Sequence, residues 1–92
     1  MPERTATIAS RSGLHARPAA LFAEAAGNAG VDVTLSMQGE PADEALDAAS
    51  ILSLMTLGAA KGDVVVLRAD GDGADQALDS LVALLETDLD AE

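Results

Sequence analysis

Cysteine is absent from this chain, which removes disulfides and thiolate-held metals from consideration. Tryptophan and tyrosine are absent as well, and Phe22 is the one aromatic. A stacking platform for bases or sugars needs aromatic faces and is therefore excluded. His15 is the single histidine, and without a second imidazole a catalytic zinc site is not expected; the sequence predicts no metal and no cofactor. Bases are scarce, five against sixteen acids, for a formal net charge of −11. That balance excludes nucleic acid as a partner, because phosphate backbones need clustered Lys and Arg. No apolar run approaches the roughly 20 residues of a membrane span, and Met1-Pro2-Glu3-Arg4 lacks the apolar core of a secretion signal. A cytoplasmic protein without membrane insertion is expected.

What remains is a chain of 92 residues that is 49% apolar, built from Ala, Val, Leu and Ile around one ring. This predicts a single domain spanning residues 1–92 with one modest core, since a domain of this size buries roughly 60–65% of its unfolded surface. Thr5 to Ser10 reads as a strand with Ala6 and Ile8 facing inward. Ala16 to Ala26 reads as a helix with Pro18 in its first turn, Gly27 past its end, and Pro18, Phe22 and Ala26 on one face. Val31 to Met37 alternates, placing Val31, Val33, Leu35 and Met37 inward and Asp32, Thr34 and Ser36 outward. Pro41 opposes a central strand in the acidic stretch 40–47, which is at best a short edge strand or a loop. Ser50 to Leu57 reads as a short helix capped by Ser50 or Asp47 and closed by Gly58. Asp63 to Asp70 is a Val-rich strand, and Ala74 to Leu89 an amphipathic helix buried along Ala74, Leu78, Leu81, Val82, Leu85 and Leu89. The order β-α-β-(β)-α-β-α suits an α+β sandwich with its helices on one face of an antiparallel sheet.

Ser12-Gly13-Leu14-His15-Ala16-Arg17-Pro18-Ala19 sets the lone imidazole at the start of the first helix. A helix N-terminus offers unpaired N–H groups, here those of Ala16 and Arg17, and a dipole that favours an anion by roughly 0.3–1 kcal/mol. It also favours the neutral imidazole, the form that attacks phosphorus. Arg17 brings a planar, permanent cation, and Gly13 lets the backbone turn without obstructing approach. Between Glu3 and Glu24 there is no carboxylate to activate water, so a phosphoryl group accepted here would be kept for transfer. Read from these residues alone, His15 is either the centre of such an anion or phosphoryl site or an ordinary surface or capping histidine.

The run Gly13-Leu14-His15-Ala16-Arg17-Pro18-Ala19 resembles the active-centre motif of the HPr family, histidine phosphocarriers of the bacterial phosphoenolpyruvate:sugar phosphotransferase system. Ser50-Ile51-Leu52-Ser53-Leu54-Met55-Thr56-Leu57-Gly58 resembles the family's second-helix segment, and the likeness runs on through the Val-rich strand and last helix. The resemblance implies an open-faced β-sandwich, a four-stranded antiparallel sheet with three helices on one face. It implies a phosphocarrier, not an enzyme turning over a small substrate, that accepts a phosphoryl group on His15 from phosphorylated enzyme I. Phosphoenolpyruvate is then the ultimate donor and sugar-specific IIA components the acceptors, with a monomer expected. By position, Arg17 matches the family's active-site arginine, and Ser12 and Ala16 flank the phosphoryl group. Leu14, Ala20, Ile51, Leu52 and Met55 match the partner surface, although as residue types they would equally suit a core.

Two departures stand out. In many Gram-positive members the serine matching Ser50 is phosphorylated by a dedicated kinase and preceded by lysine. Here Ala48-Ala49 precede it, so Ser50 reads as a plain cap with a regulatory phosphosite as the alternative. The stretch from Gly39 to Ser50 is longer than the family's spacing and acidic, so the third strand is expected to be short or replaced by a loop. Other functions on the same fold are a carrier for a nitrogen-related or dihydroxyacetone-kinase system, or a regulatory docking protein, though docking members lack the active histidine. Finally, residues 4–23 hold Arg4, Arg11 and Arg17 and no acid, while residues 70–92 hold eight acids and no base. This predicts a charge dipole whose less negative end carries His15.

Overall fold

Three helices lie over one four-stranded sheet in a computed structural model that describes residues 3–9, 13, 16–40 and 45–87. The elements are β1 (Glu3–Thr7), α1 (Ala16–Gly27), β2 (Val33–Met37), β3 (Leu46–Asp47), α2 (Ile51–Leu57), β4 (Val64–Ala69) and α3 (Ala74–Leu85). The sheet order is β1-β4-β2-β3 and every pairing is antiparallel. This is the α+β architecture that the pattern of elements implies.

Alternation decides which face of the sheet meets the helices. Ala6 on β1, Val65, Leu67 and Ala69 on β4, and Val33 and Leu35 on β2 all point to the core. Phe22 from α1, Leu54 from α2, and Leu78, Leu81 and Leu85 from α3 close over them. Phe22 is 0% exposed, with Pro18 and Ala26 buried along the same helix face. Burying side chains of this kind contributes about 1.5–3 kcal/mol each, so the helical face of the sheet holds most of the fold's stability.

Several boundaries differ from the sequence reading. β1 begins at Glu3 and ends at Thr7, with Ile8 still in the core just beyond it. α3 ends at Leu85 rather than Leu89, which lies outside the described residues. The Leu85 carbonyl accepts a hydrogen bond from the Ala9 N–H at 3.1 Å, so the chain beyond β1 claims an acceptor that another helical turn would use. Val82 is only partly buried, and Ala77 takes a place on the buried stripe. Ser36, expected to face outward into solvent, is 1% exposed. The Arg68 guanidinium reaches over from the neighbouring strand, donating to Ser36 Oγ at 3.1 Å and to Glu3 Oε2 at 2.9 Å. β3 is two residues long, pairing Leu46 with Leu35 and Asp47 with Thr34 at the sheet's edge.

The charge map also departs from expectation. Arg4 leans onto α3, donating through Nε to Asp79 Oδ1 at 3.1 Å and through NH2 to Asp75 Oδ1 at 3.2 Å. The hydrogen bond to Asp79, together with the two carboxylate charges, raises this guanidinium above its ordinary value despite desolvation. Arg4 therefore belongs to the acidic helix and does not add positive charge to the end that leads into α1.

Candidate functional site

His15, the centre of the motif, lies outside the described residues, as do Ser12 and Leu14. Nearest to the histidine, the described residues are Gly13 before it and the chain from Ala16 after it. Gly13 is buried and has φ +70°, a conformation that favours glycine. A Cβ at this position would run into the Ala59 carbonyl oxygen and stand 2.8 Å from Ala60 Cα. Backbone therefore lies directly on backbone, and no side chain fits between them.

Ala16 opens α1, so the free N–H groups of the first turn stand one residue past the histidine in the chain. No acid in that turn offsets the positive end of the dipole. Arg17 is exposed in the first turn, and Pro18 is buried beneath it, where a missing N–H breaks no helical hydrogen bond. Ala20, one of the positions matched to the partner surface, is half-buried.

α2 packs against α1 and is defined at both ends by its own residues. Ser50 is extended, with φ −104° and ψ 115°, and its Oγ accepts from Ser53 N–H at 3.3 Å. Asp47 instead accepts from Ala49 N–H through Oδ1 at 2.9 Å, so the cap is Ser50 and Asp47 shapes the approach to it. Gly58 closes the helix at φ +68°. Within α2 only Leu54 is buried. Ile51 is 43% exposed, Met55 41% and Leu52 79%, so this helix leaves three large apolar side chains partly in solvent. Leu21 on α1 is also exposed, at 38%, and was not singled out from the sequence. The signal was available: Pro18, Ala19, Phe22, Ala23 and Ala26 fill the inward face and leave Leu21 outward.

At the other end of β4 there is a depression of about 470 Å³ bordered by Gly27, Gly30, Asp32, Asp70 and Asp72. Its three carboxylates, with no cation among the described lining residues, make it repellent to phosphate. Among the described residues no group of three or more His, Cys, Asp or Glu is placed to hold a metal ion, and no helix is long and apolar enough to cross a membrane.

Comparison with known proteins bears on the same stretch of chain. The family described as "PTS HPr component phosphorylation site" matches residues 2–87. A Phosphocarrier protein HPr of Streptomyces coelicolor is 41% identical over 91 residues, covering 98% of this chain and 94% of that protein. Another, from Haloferax volcanii, is 44% identical over 85 residues, covering 92% of this chain and 93% of its own length. Among solved structures, HPr-C-His from Thermoanaerobacter tengcongensis superposes with a TM-score of 0.84 at 38% identity, covering 100% of this chain and 99% of that one.

Proposed function

Because the chain belongs to the HPr family of phosphotransferase-system phosphocarriers, we propose that His15 is its phosphoryl acceptor, charged by phosphorylated enzyme I and discharged to sugar-specific IIA components. The carrying observation is the unbroken run from Gly13 to Ala19, with Gly13 locked by close packing on one side of the histidine and α1 beginning on the other. A ring nitrogen of neutral His15 attacks phosphorus. As the new N–P bond forms, the donor's bond to phosphorus breaks and its electron pair returns to the donor. Arg17 and the N–H groups at the start of α1, with Ser12 beside them, receive the phosphoryl oxygens, and preorganised donors of this kind can be worth several kcal/mol in the transition state.

No carboxylate between Glu3 and Glu24 serves as a base for water, which favours passing the group on over hydrolysing it. Leu14, Ala20, Ile51, Leu52 and Met55 form the docking surface for both partners, and Ser50 is a helix cap rather than a regulatory phosphosite. The 92 residues act as one monomeric domain in the cytoplasm. The protein is a carrier consumed and regenerated by its partners, not a catalyst of a small-molecule reaction.

Incubation with enzyme I and labelled phosphoenolpyruvate tests this reading. One phosphoryl group per chain is expected, acid-labile and base-stable as a phosphoimidazole, and absent from His15→Ala. Label that survives this substitution would place the acceptor elsewhere.

A further inference from the structure

Residues 59–63, between α2 and β4, meet the chain on both sides of the 9–12 stretch that leads to the histidine. On one side, Gly62 N–H donates to the Ile8 carbonyl at 2.8 Å, and Ile8 N–H donates to the Asp63 carbonyl at 2.9 Å. On the other, the Ala59 carbonyl and Ala60 Cα form the surface on which Gly13 is seated. The path into α1 is thus anchored before and after by one short turn.

One side chain braces that turn alongside its backbone hydrogen bond. Asp63 Oδ2 accepts from Ala60 N–H at 2.9 Å, while Asp63 N–H donates back to the Ala60 carbonyl at 2.9 Å. Gly62, at φ +91°, supplies the left-handed residue that this turn needs before Asp63. The side-chain bond ties the Ala60 N–H back to Asp63, and Ala59 beside it is buried. We propose that Asp63 is a positioning residue for phosphoryl transfer: its carboxylate fixes the turn that anchors Ile8 and Gly13, and through them the start of α1 at which His15 reacts. This rests on the reading of His15 as the phosphoryl acceptor. Asp63 does not touch the reacting atoms.

Transfer from phosphorylated enzyme I is measured as kcat and KM for wild type, Asp63→Ala, Asp63→Leu and Asp63→Asn, with the ¹⁵N shifts of the His15 ring recorded for each. Leu is nearly isosteric but accepts no hydrogen bond, and provides the comparison should the Ala variant fail to fold. Asn retains an acceptor oxygen. Misplacing reacting groups is expensive in rate, so Ala and Leu should lower kcat by about tenfold. KM should stay near wild type, because Ile51, Leu52 and Met55 are untouched. The ring shifts should move in Ala and Leu, and Asn should restore both shifts and kcat. Unchanged kcat in Ala and Leu, a change in KM alone, or an Asn variant as impaired as Leu would each overturn the assignment. If wild type itself takes no phosphoryl group on His15, both readings fall; if wild type transfers and the variants match it, only the role of Asp63 does.

Discussion

Phe22 supplies the molecule's only phenyl ring, and the structure leaves none of it in water. The other buried side chains are smaller than this ring and already packed against one another, so none is placed to refill its volume. Phe22→Ala should therefore cost about 3–5 kcal/mol. Because domains are stable by only about 5–15 kcal/mol, urea unfolding should show a variant that is marginal at room temperature. A loss under about 1 kcal/mol would mean that α1 collapses onto the sheet and fills the cavity. Gly13 illustrates the opposite constraint, a position with room for hydrogen only. Ser36 shows how a buried hydroxyl is tolerated: Arg68 both hides it and bonds to it, and Glu3 balances the guanidinium.

α2 is seven residues long, too short to persist alone, and it buries only Leu54. Its integrity depends on its ends, the Ser50 cap and the Gly58 closure. Asp caps a helix about as well as Ser, and a negative charge suits the positive end of the dipole. Ser50→Asp should therefore leave the melting temperature close to wild type. It would nevertheless put a charge next to exposed Ile51 and Leu52, and transfer from enzyme I should weaken. Thermal melts and transfer rates on the same preparation separate the two effects; a large drop in melting temperature would show that the cap tolerates no carboxylate. At the other end of the chain, α3 stops where the sheet's neighbourhood takes over its acceptors: Ala9 N–H uses the Leu85 carbonyl, and Glu86 Oε2 lies 3.5 Å from Thr7 N–H.

On the scale of the whole molecule, sixteen acids face five bases. The ion pairs of Arg4 with Asp75 and Asp79, and of Arg68 with Glu3, use two of those bases. The Arg4 pairs lie at exposed sites, where such contacts contribute little. Net self-repulsion should therefore outweigh pairing, and salt should stabilise the fold as the Debye length falls from about 30 Å at 0.01 M to about 3 Å at 1 M. Each kcal/mol of relieved repulsion should raise the melting temperature by about 4–8 °C. Calorimetry across that range tests it, and a melting temperature that falls with added sodium chloride would show that the ion pairs dominate instead. The engagement of Arg4 by α3 also removes this residue from any electrostatic steering toward the α1 end.

Local signals were enough for much of this protein. The alternation through Val33, Leu35 and Met37 marks β2, the Pro18–Phe22–Ala26 face marks α1, and Ser50 and Gly58 bracket α2 because caps act on their nearest neighbours. The motif around His15 was legible for a related reason: its parts are contiguous, so the helix start, the cation and the glycine are read in one stretch of chain. Tertiary structure alone decided that Ser36 is covered, that Arg4 belongs to α3, and that α3 ends at Leu85. It also decided what Gly13 rests on. Each of these depends on a partner brought from far along the chain: Arg68 is 32 residues from Ser36 and Asp79 is 75 from Arg4. Periodicity and capping report on the few residues that one turn or one strand spans. Which distant backbone fills the space over Gly13 is settled only when the sheet and helices pack at close density.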